Sequence, residues 1–381
     1  MDAFRGIAAL SVLVGHCVGA YTHNWKANWE VHLLYGGPVH LYAPFWNMGQ
    51  VGVALFFFIS GFLLYISFGK AWADGRAAPS TASFYKRRFR RIAPAYYASL
   101  AILLVLNWAG AVGHEHAPRS VGDVFLHLSF LHNLTPESVS TINGVYWTLA
   151  PEAQFYLVLP FIASWFHGKR RFVALFAIIT ASGLYRVFMS RFAMSHGLGD
   201  ISHIITPFNF SLIWRLDQFA VGMFFAGLWL ESGCAGTANA VPSKSRLNGV
   251  FAVVSLALVV VLCLLLDDPA GWLAGSNPVI MSLAFGGLII GTVGSGPVVK
   301  KIIANPLLQF AGIISYSIYL WHMVIVIELN RYFPARTEPG LGKLACFTAS
   351  GLVLSVAAGL ASYLMFERPF LKKVRRAASA P

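Results

Sequence analysis

The chain has 381 residues, of which 57% are hydrophobic and only 11% charged, with a mean hydropathy of +0.65 and a net charge of +13. Soluble domains carry roughly a quarter charged residues, so the composition excludes an ordinary water-soluble fold and points to a polytopic membrane protein. No soluble basic face is visible, so the positive charge reads as membrane topology and anionic lipid rather than nucleic-acid binding.

Apolar segments of about 18 to 22 residues, long enough to cross roughly 30 Å of hydrocarbon, recur at 4–21, 49–68, 92–112, 145–166, 172–190, 209–230, 249–266, 279–296, 309–329 and 343–366. They predict an all-α fold of about ten transmembrane helices, one membrane domain over 1–381 with no separate soluble domain and no internal repeat. The first segment has Val18-Gly19-Ala20, a passable signal-cleavage pattern, yet His16 inside it and the spans that follow favour a true span. Cytoplasmic loops are enriched in Lys and Arg. With both termini inside, the cytoplasm receives Arg5, KRRFRR at 86–91, KRR at 169–171, Lys244, Arg246, Lys300, Lys301 and the tail KKVRR. Together with other basic residues near inner helix ends, about 20 of the 28 Lys and Arg residues then lie inside, which predicts an N-in, C-in orientation. The longest outer connections are 22–48 and 113–144, and the latter contains VGDVFLHLSFLHNL, too short and polar to span and expected to lie at the interface or fold back over the bundle. Cys17, Cys234, Cys263 and Cys346 form no CxxC and read as packing residues.

Within the first span, RGIAALSVLVGH brackets an apolar run with Arg5 and His16. Eleven residues at about 100° each come close to three whole turns, so the two share a face roughly 16 Å apart along the axis. Arg5 falls at the inner surface and His16 beyond the midplane. Ionisable groups at depth are costly and usually face the bundle interior or a wet cavity. A general base and a simple bond to a neighbouring helix both meet that requirement for His16. Gly15 and Gly19 form a small-xxx-small step that favours close helix approach there. In YKRRFRRIAPAYY, Arg88 and Arg91 are three apart and share a helical face; their forks suit phosphate oxygens, while plain positive-inside anchoring is the competing reading.

Further polar residues at depth argue for a cavity crossing the bundle. NGVYWTLAPEAQFYLVLP carries Glu152 with Tyr156 one turn on; SLIWRLDQFAVGM carries Arg215 and Asp217; in GIISYSIYLWHMVIV, Ser315, Tyr319 and His322 follow i, i+4, i+7. Glu367 and Arg368 in FERPF suit local pairing or capping. The histidines lack HxxxH, HxxHH and HExxH sets, so no metal is expected.

The strings MDAFRGIAALSVLVGH, GVALFFFISGFLL, RRFRRIAPAYY, WTLAPEAQFYLVLP, RLDQFAVGM, ISYSIYLWH and FERP, in this order over nearly the whole chain, resemble the acyltransferase family 3 membrane proteins. The resemblance implies a ten-helix inner-membrane enzyme that moves an acyl group, commonly acetyl, from cytoplasmic acyl-CoA to a hydroxyl, often on a carbohydrate or glycolipid acceptor. It matches the family's Arg-x10-His motif to Arg5 and His16, its RxxR motif to Arg88 and Arg91, with Arg87 and Arg90 as an overlapping reading, and its acidic position to Glu152. In that scheme Arg5, Arg88, Arg91 and Arg87 hold acyl-CoA, the donor and the one cofactor implied. His16 is general base or acyl carrier, and Glu152 or another buried polar group orients its ring. Tyr156, Arg215, Asp217, Tyr319 and His322 line the substrate cavity. The partners implied are acyl-CoA, the acceptor and the lipid bilayer; a homo-oligomer is compatible with the fold. Two departures stand out: family members usually have residues before the opening Asp, here Asp2, and no stretch matches the esterase-like outer domain that some members carry. A transporter or flippase of a glycan or lipid intermediate is the alternative function.

Overall fold

The computed structural model describes residues 1–23, 30–33, 37–40, 43–196, 208–231, 245–265, 277–293, 297–332 and 341–371. Cys234, Lys244, most of LDDPAGWLAGSNP and the basic tail lie outside them, and side-chain surroundings of Arg246 and Lys300 are likewise not described. In chain order the helices are α1 (Asp2–His23), α2 (Ala43–Ala73), α3 (Thr81–Trp108), α4 (Val121–Leu128), α5 (Leu149–Ile162), α6 (Arg170–Ser195), α7 (Leu212–Glu231), α8 (Ser245–Leu265), α9 (Asn277–Val293), α10 (Pro297–Ile303), α11 (Pro306–Ile313), α12 (Ser315–Tyr332) and α13 (Leu341–Ser362). Between α1 and α2, β1 (Glu30–Leu33) and β2 (Gly37–His40) form a small antiparallel ribbon pairing Glu30 with His40. The protein is otherwise helical, as its apolar periodicity demands.

Among the described residues, five helical stretches are long and apolar enough to cross a membrane: Asp2–Tyr21, Asn47–Ala73, Thr81–Trp108, Arg170–Ser195 and Leu341–Leu371. A sixth crossing is available if α11 and α12, bent by 78° at their junction, count as one. The remaining expected spans take other forms. The 145–166 segment is a 14-residue α5 flanked by 3-10 turns at Tyr146–Thr148 and Ala163–Phe166. α7 is 20 residues long but carries Arg215, Asp217 and Glu231. The apolar parts of α8 and α9 are shorter than a full span. α11 starts at a cap: the Asn305 side chain accepts from the backbone N–H groups of Leu307 and Leu308, with Pro306 at the first helical turn, and the break to α12 follows at Ile314.

α1 and α2 sit at the centre. Ala8, Val12, Leu13 and Cys17 of α1 are fully buried, and α2 buries Leu55, Phe58, Ile59 and Phe62. α2 and α7 approach backbone to backbone: a Cβ on Gly61 would run into the Phe219 carbonyl, and one on Gly222 into that of Phe58. Peripheral helices show the reverse pattern, with Phe172, Val173, Phe176 and Phe188 of α6 and Val250, Phe251 and Val254 of α8 exposed. Large side chains facing outward along whole helices are what a lipid solvent requires. The semi-apolar 113–144 connection folds back on α3, as the hydroxyls of Tyr96 and Tyr97 donate to the carbonyls of His127 and Leu128 at 2.9 and 2.8 Å.

Candidate active site

Ser80 caps α3 and sets its start at Thr81, so the basic cluster is already helical and Arg88 and Arg91 lie on one face. That face and Arg5 of α1 open onto one shared cavity. Each wall repeats the helical period. α2 supplies Val53, Phe56, Ser60 and Leu63; α5 supplies Leu149, Glu152 and Tyr156; α12 supplies Ser315, Tyr316 and Tyr319. The three guanidiniums gather at one end, while Val53, Phe56, Thr148 and Tyr319 close the other.

The arginine end is electrostatically unbalanced. Arg5 has an ion pair with Asp2 at 3.4 Å; among the described residues, neither Arg88 nor Arg91 has one. Arg88 lies 5.7 Å over the Phe84 ring, and its buried Nε has no hydrogen-bond partner. Cations held in this way have an unmet demand for an anion. Glu152 occupies the middle of the cavity, where one of its oxygens accepts from Ser60 at 2.9 Å and from Tyr156 at 2.7 Å. Of the two readings for the group beside His16, Glu152 directs its hydrogen bonds to Ser60 and Tyr156, and the histidine meets a different buried polar side chain.

The orienting partner is His322. His16 Nδ1 and His322 Nε2 are 2.8 Å apart, with the rings stacked at 5.1 Å. His322 Nδ1 lies 2.7 Å from the Tyr319 carbonyl oxygen, which only accepts, so that nitrogen carries the hydrogen. In the neutral pair His322 Nε2 therefore accepts, His16 Nδ1–H donates, and His16 Nε2 bears the lone pair. The backbone of α12 thereby fixes the tautomer of a histidine on α1, in the manner of the third member of a catalytic triad.

The histidine pair stands behind Tyr319 rather than on the cavity wall: the Tyr319 ring is 5.2 Å from that of His322. The Tyr319 hydroxyl accepts from Thr148 at 2.8 Å and donates to the Val145 carbonyl at 3.4 Å. The structure thus brings together Arg5, Arg88, Arg91, Glu152, Tyr156 and Tyr319 on one cavity, with His16 and His322 one layer beyond. Arg87 is on α3 but not among the lining residues. Arg215 and Asp217 also lie elsewhere. α7 turns the fully buried Asp217 toward α6, where Arg186 binds it at 2.5 Å and also donates to the Trp214 carbonyl, while Arg215 lies 5.4 Å over the Trp147 ring. Sequence reasoning passed over Ser60, a lone hydroxyl in an apolar run, and Thr148; Ser60 at least announced itself by being polar where its neighbours are not. Glu367 is buried in a π turn at Tyr363–Glu367 and accepts from Ser317 at 2.5 Å.

A family model for an acyltransferase domain, acyltransferase family 3, matches residues 1–362. The chain belongs to that family. Its similar proteins include the O-acetyltransferase OatA of Staphylococcus aureus strain NCTC 8325 / PS 47, 25% identical over 351 residues, with 88% of this chain and 54% of the relative covered. OatA of strain COL matches to the same extent, at 25% identity with 88% and 54% coverage. The chain therefore spans about half the length of the curated relatives it matches. No solved structure matches it. For a member of acyltransferase family 3, the cavity described above is the natural place to look for the donor site.

Proposed function

We propose that this protein is a multi-pass membrane O-acyltransferase that takes a short acyl group, acetyl foremost, from acyl-CoA on the cytoplasmic side and gives it to a hydroxyl of a glycan or glycolipid reached from the other side. The observation that carries this reading is the shared cavity: unpaired Arg88 and Arg91 with Arg5 at one end, and the His16–His322 pair just past the other. The CoA phosphates bind the guanidinium forks, and the pantetheine arm runs along the apolar wall of α2 toward Tyr319. Turning the Tyr319 ring aside, with loss of its Thr148 bond, joins the cavity to the histidines. The acceptor oxygen then attacks the thioester carbon as His16 Nε2 removes its proton; the C–O bond forms, the C–S bond breaks, and the proton passes to the departing CoA sulfur.

The site fits acyl-CoA in that, among the described residues, Arg88 and Arg91 have no carboxylate partner, while the far end is largely apolar. The reading also takes in the ten-span, N-in and C-in arrangement and a plasma-membrane location, which the charge of the loops supports.

The test is release of CoA thiol from acetyl-CoA by the purified protein, with and without a hydroxyl-bearing glycan, alongside movement of a labelled glycan lipid in proteoliposomes. Glycan-stimulated thiol release is expected. Transport without acetyl-CoA binding or turnover would replace the transferase with a carrier.

A further inference from the structure

The donor cavity has a floor as well as a mouth. On α2, Leu55 and Phe58 are buried in the bundle away from the cavity, whereas Val53, Phe56, Phe57, Ile59 and Ser60 line it, Phe56 and Ser60 among them only half-buried. At the end away from the arginines the Phe56 ring meets Tyr319 edge-on, centroids 5.7 Å apart and planes at 79°. Tyr319 is pinned in turn by Thr148 and backed by His322. Phe56 has no side-chain hydrogen bond to hold it, and its half-buried ring is the bulkier of the apolar groups that meet Tyr319 at this end.

We propose that Phe56 is the specificity-determining residue for acyl-chain length, admitting acetyl-sized groups and rejecting longer ones. The inference rests on reading the cavity as an acyl-CoA site. Its logic is that of a ruler: the arginines fix the phosphates, the pantetheine arm has a set length, and the thioester must reach the level of Tyr319 to meet the histidines. Every methylene added to the acyl group then presses on the Phe56 ring or holds the thioester short of that level. Misfit of a single methylene in an apolar pocket is worth roughly ten- to two-hundredfold in discrimination.

The experiment measures the affinity of the purified full chain in lipid nanodiscs, against empty nanodiscs, for free CoA and for acetyl-, butyryl- and hexanoyl-CoA. Wild type should bind hexanoyl-CoA at least about tenfold more weakly than acetyl-CoA. Phe56→Ala should bring the two within about threefold, and Phe56→Leu, the gentler change if the alanine variant does not fold, should fall between. Equal affinity for all chain lengths in wild type, or an unchanged length profile in a folded Phe56 variant, overturns the proposal. Failure of even free CoA to bind overturns the underlying reading of the cavity, and so is distinguishable from a failure of the ruler.

Discussion

Arg88 and Arg186 are both sunk into the helix bundle, and they are kept there in opposite ways. Arg186 has the buried carboxylate of Asp217 at 2.5 Å and the Trp214 carbonyl at 2.8 Å. Arg88 has an aromatic ring and no carboxylate, and it opens onto a cavity shared with Arg5 and Arg91. Away from the cavity other charges also find partners: Arg331 pairs with Glu115 at 2.5 Å, and Glu328 accepts from the Gly113 backbone at 2.9 Å. The lesson is that a buried charge satisfied within the chain holds the fold together, whereas one left unsatisfied beside an empty space reserves that space for a ligand.

That contrast can be broken most forcefully by truncating both kinds of arginine. Arg186→Ala leaves Asp217 buried and alone and should cost about 3 to 5 kcal/mol, seen as a large fall in the thermal unfolding midpoint. Arg88→Ala with Arg91→Ala should leave the midpoint nearly unchanged but weaken free-CoA binding by about a hundredfold or more, since a charged hydrogen bond contributes roughly 1.5 to 3 kcal/mol. If the double variant unfolds as readily as Arg186→Ala and binds CoA normally, the division between structural and ligand-binding arginines fails.

A smaller effect concerns pH. On the outer connection the rings of His127 and His132 stack 4.2 Å apart, both fully buried, beside Asp123, which accepts from Thr141. Burial holds His132 down at about 3 and also lowers His127, from an ordinary value of 6.5. The folded state therefore favours neutral rings, while the unfolded chain takes up protons as the pH drops below 6.5. Stability should be full above that point and decline from pH 6.5 toward about 3. His132→Gln should flatten the fall in unfolding midpoint between pH 7 and 5; an equally steep fall would show that these rings do not couple folding to pH.

Much of the donor side was legible in the sequence because helical spacing is local. Arg88 and Arg91 line the same wall, and Glu152 with Tyr156 and Ser315 with Tyr319 reach the cavity at the offsets that one helical turn imposes, whereas of Arg5 and His16 only Arg5 lines it. What the sequence concealed depends on contacts between distant helices. His322 was recognisable as a polar residue at depth, but not as the partner of a histidine 306 positions away, and the orienting role was therefore left open between Glu152 and another buried polar group. Asp217 looked like a cavity residue until the packing of α6 on α7 put Arg186 against it. The local shape of the spans was hidden for a related reason. A hydropathy window smooths over the bend at Ile314 and over the 3-10 turns around α5, because a few residues of altered backbone barely change the average.

The central claim is that acyl transfer runs through His16, held in its tautomer by His322. Purified His16→Ala should be measured for CoA release from acetyl-CoA with acceptor present, and for free-CoA affinity in the same preparation. Loss of a general base predicts a fall of about 10² to 10⁴-fold in turnover, with CoA affinity unchanged because the arginine end is intact. Turnover near that of wild type would contradict the account.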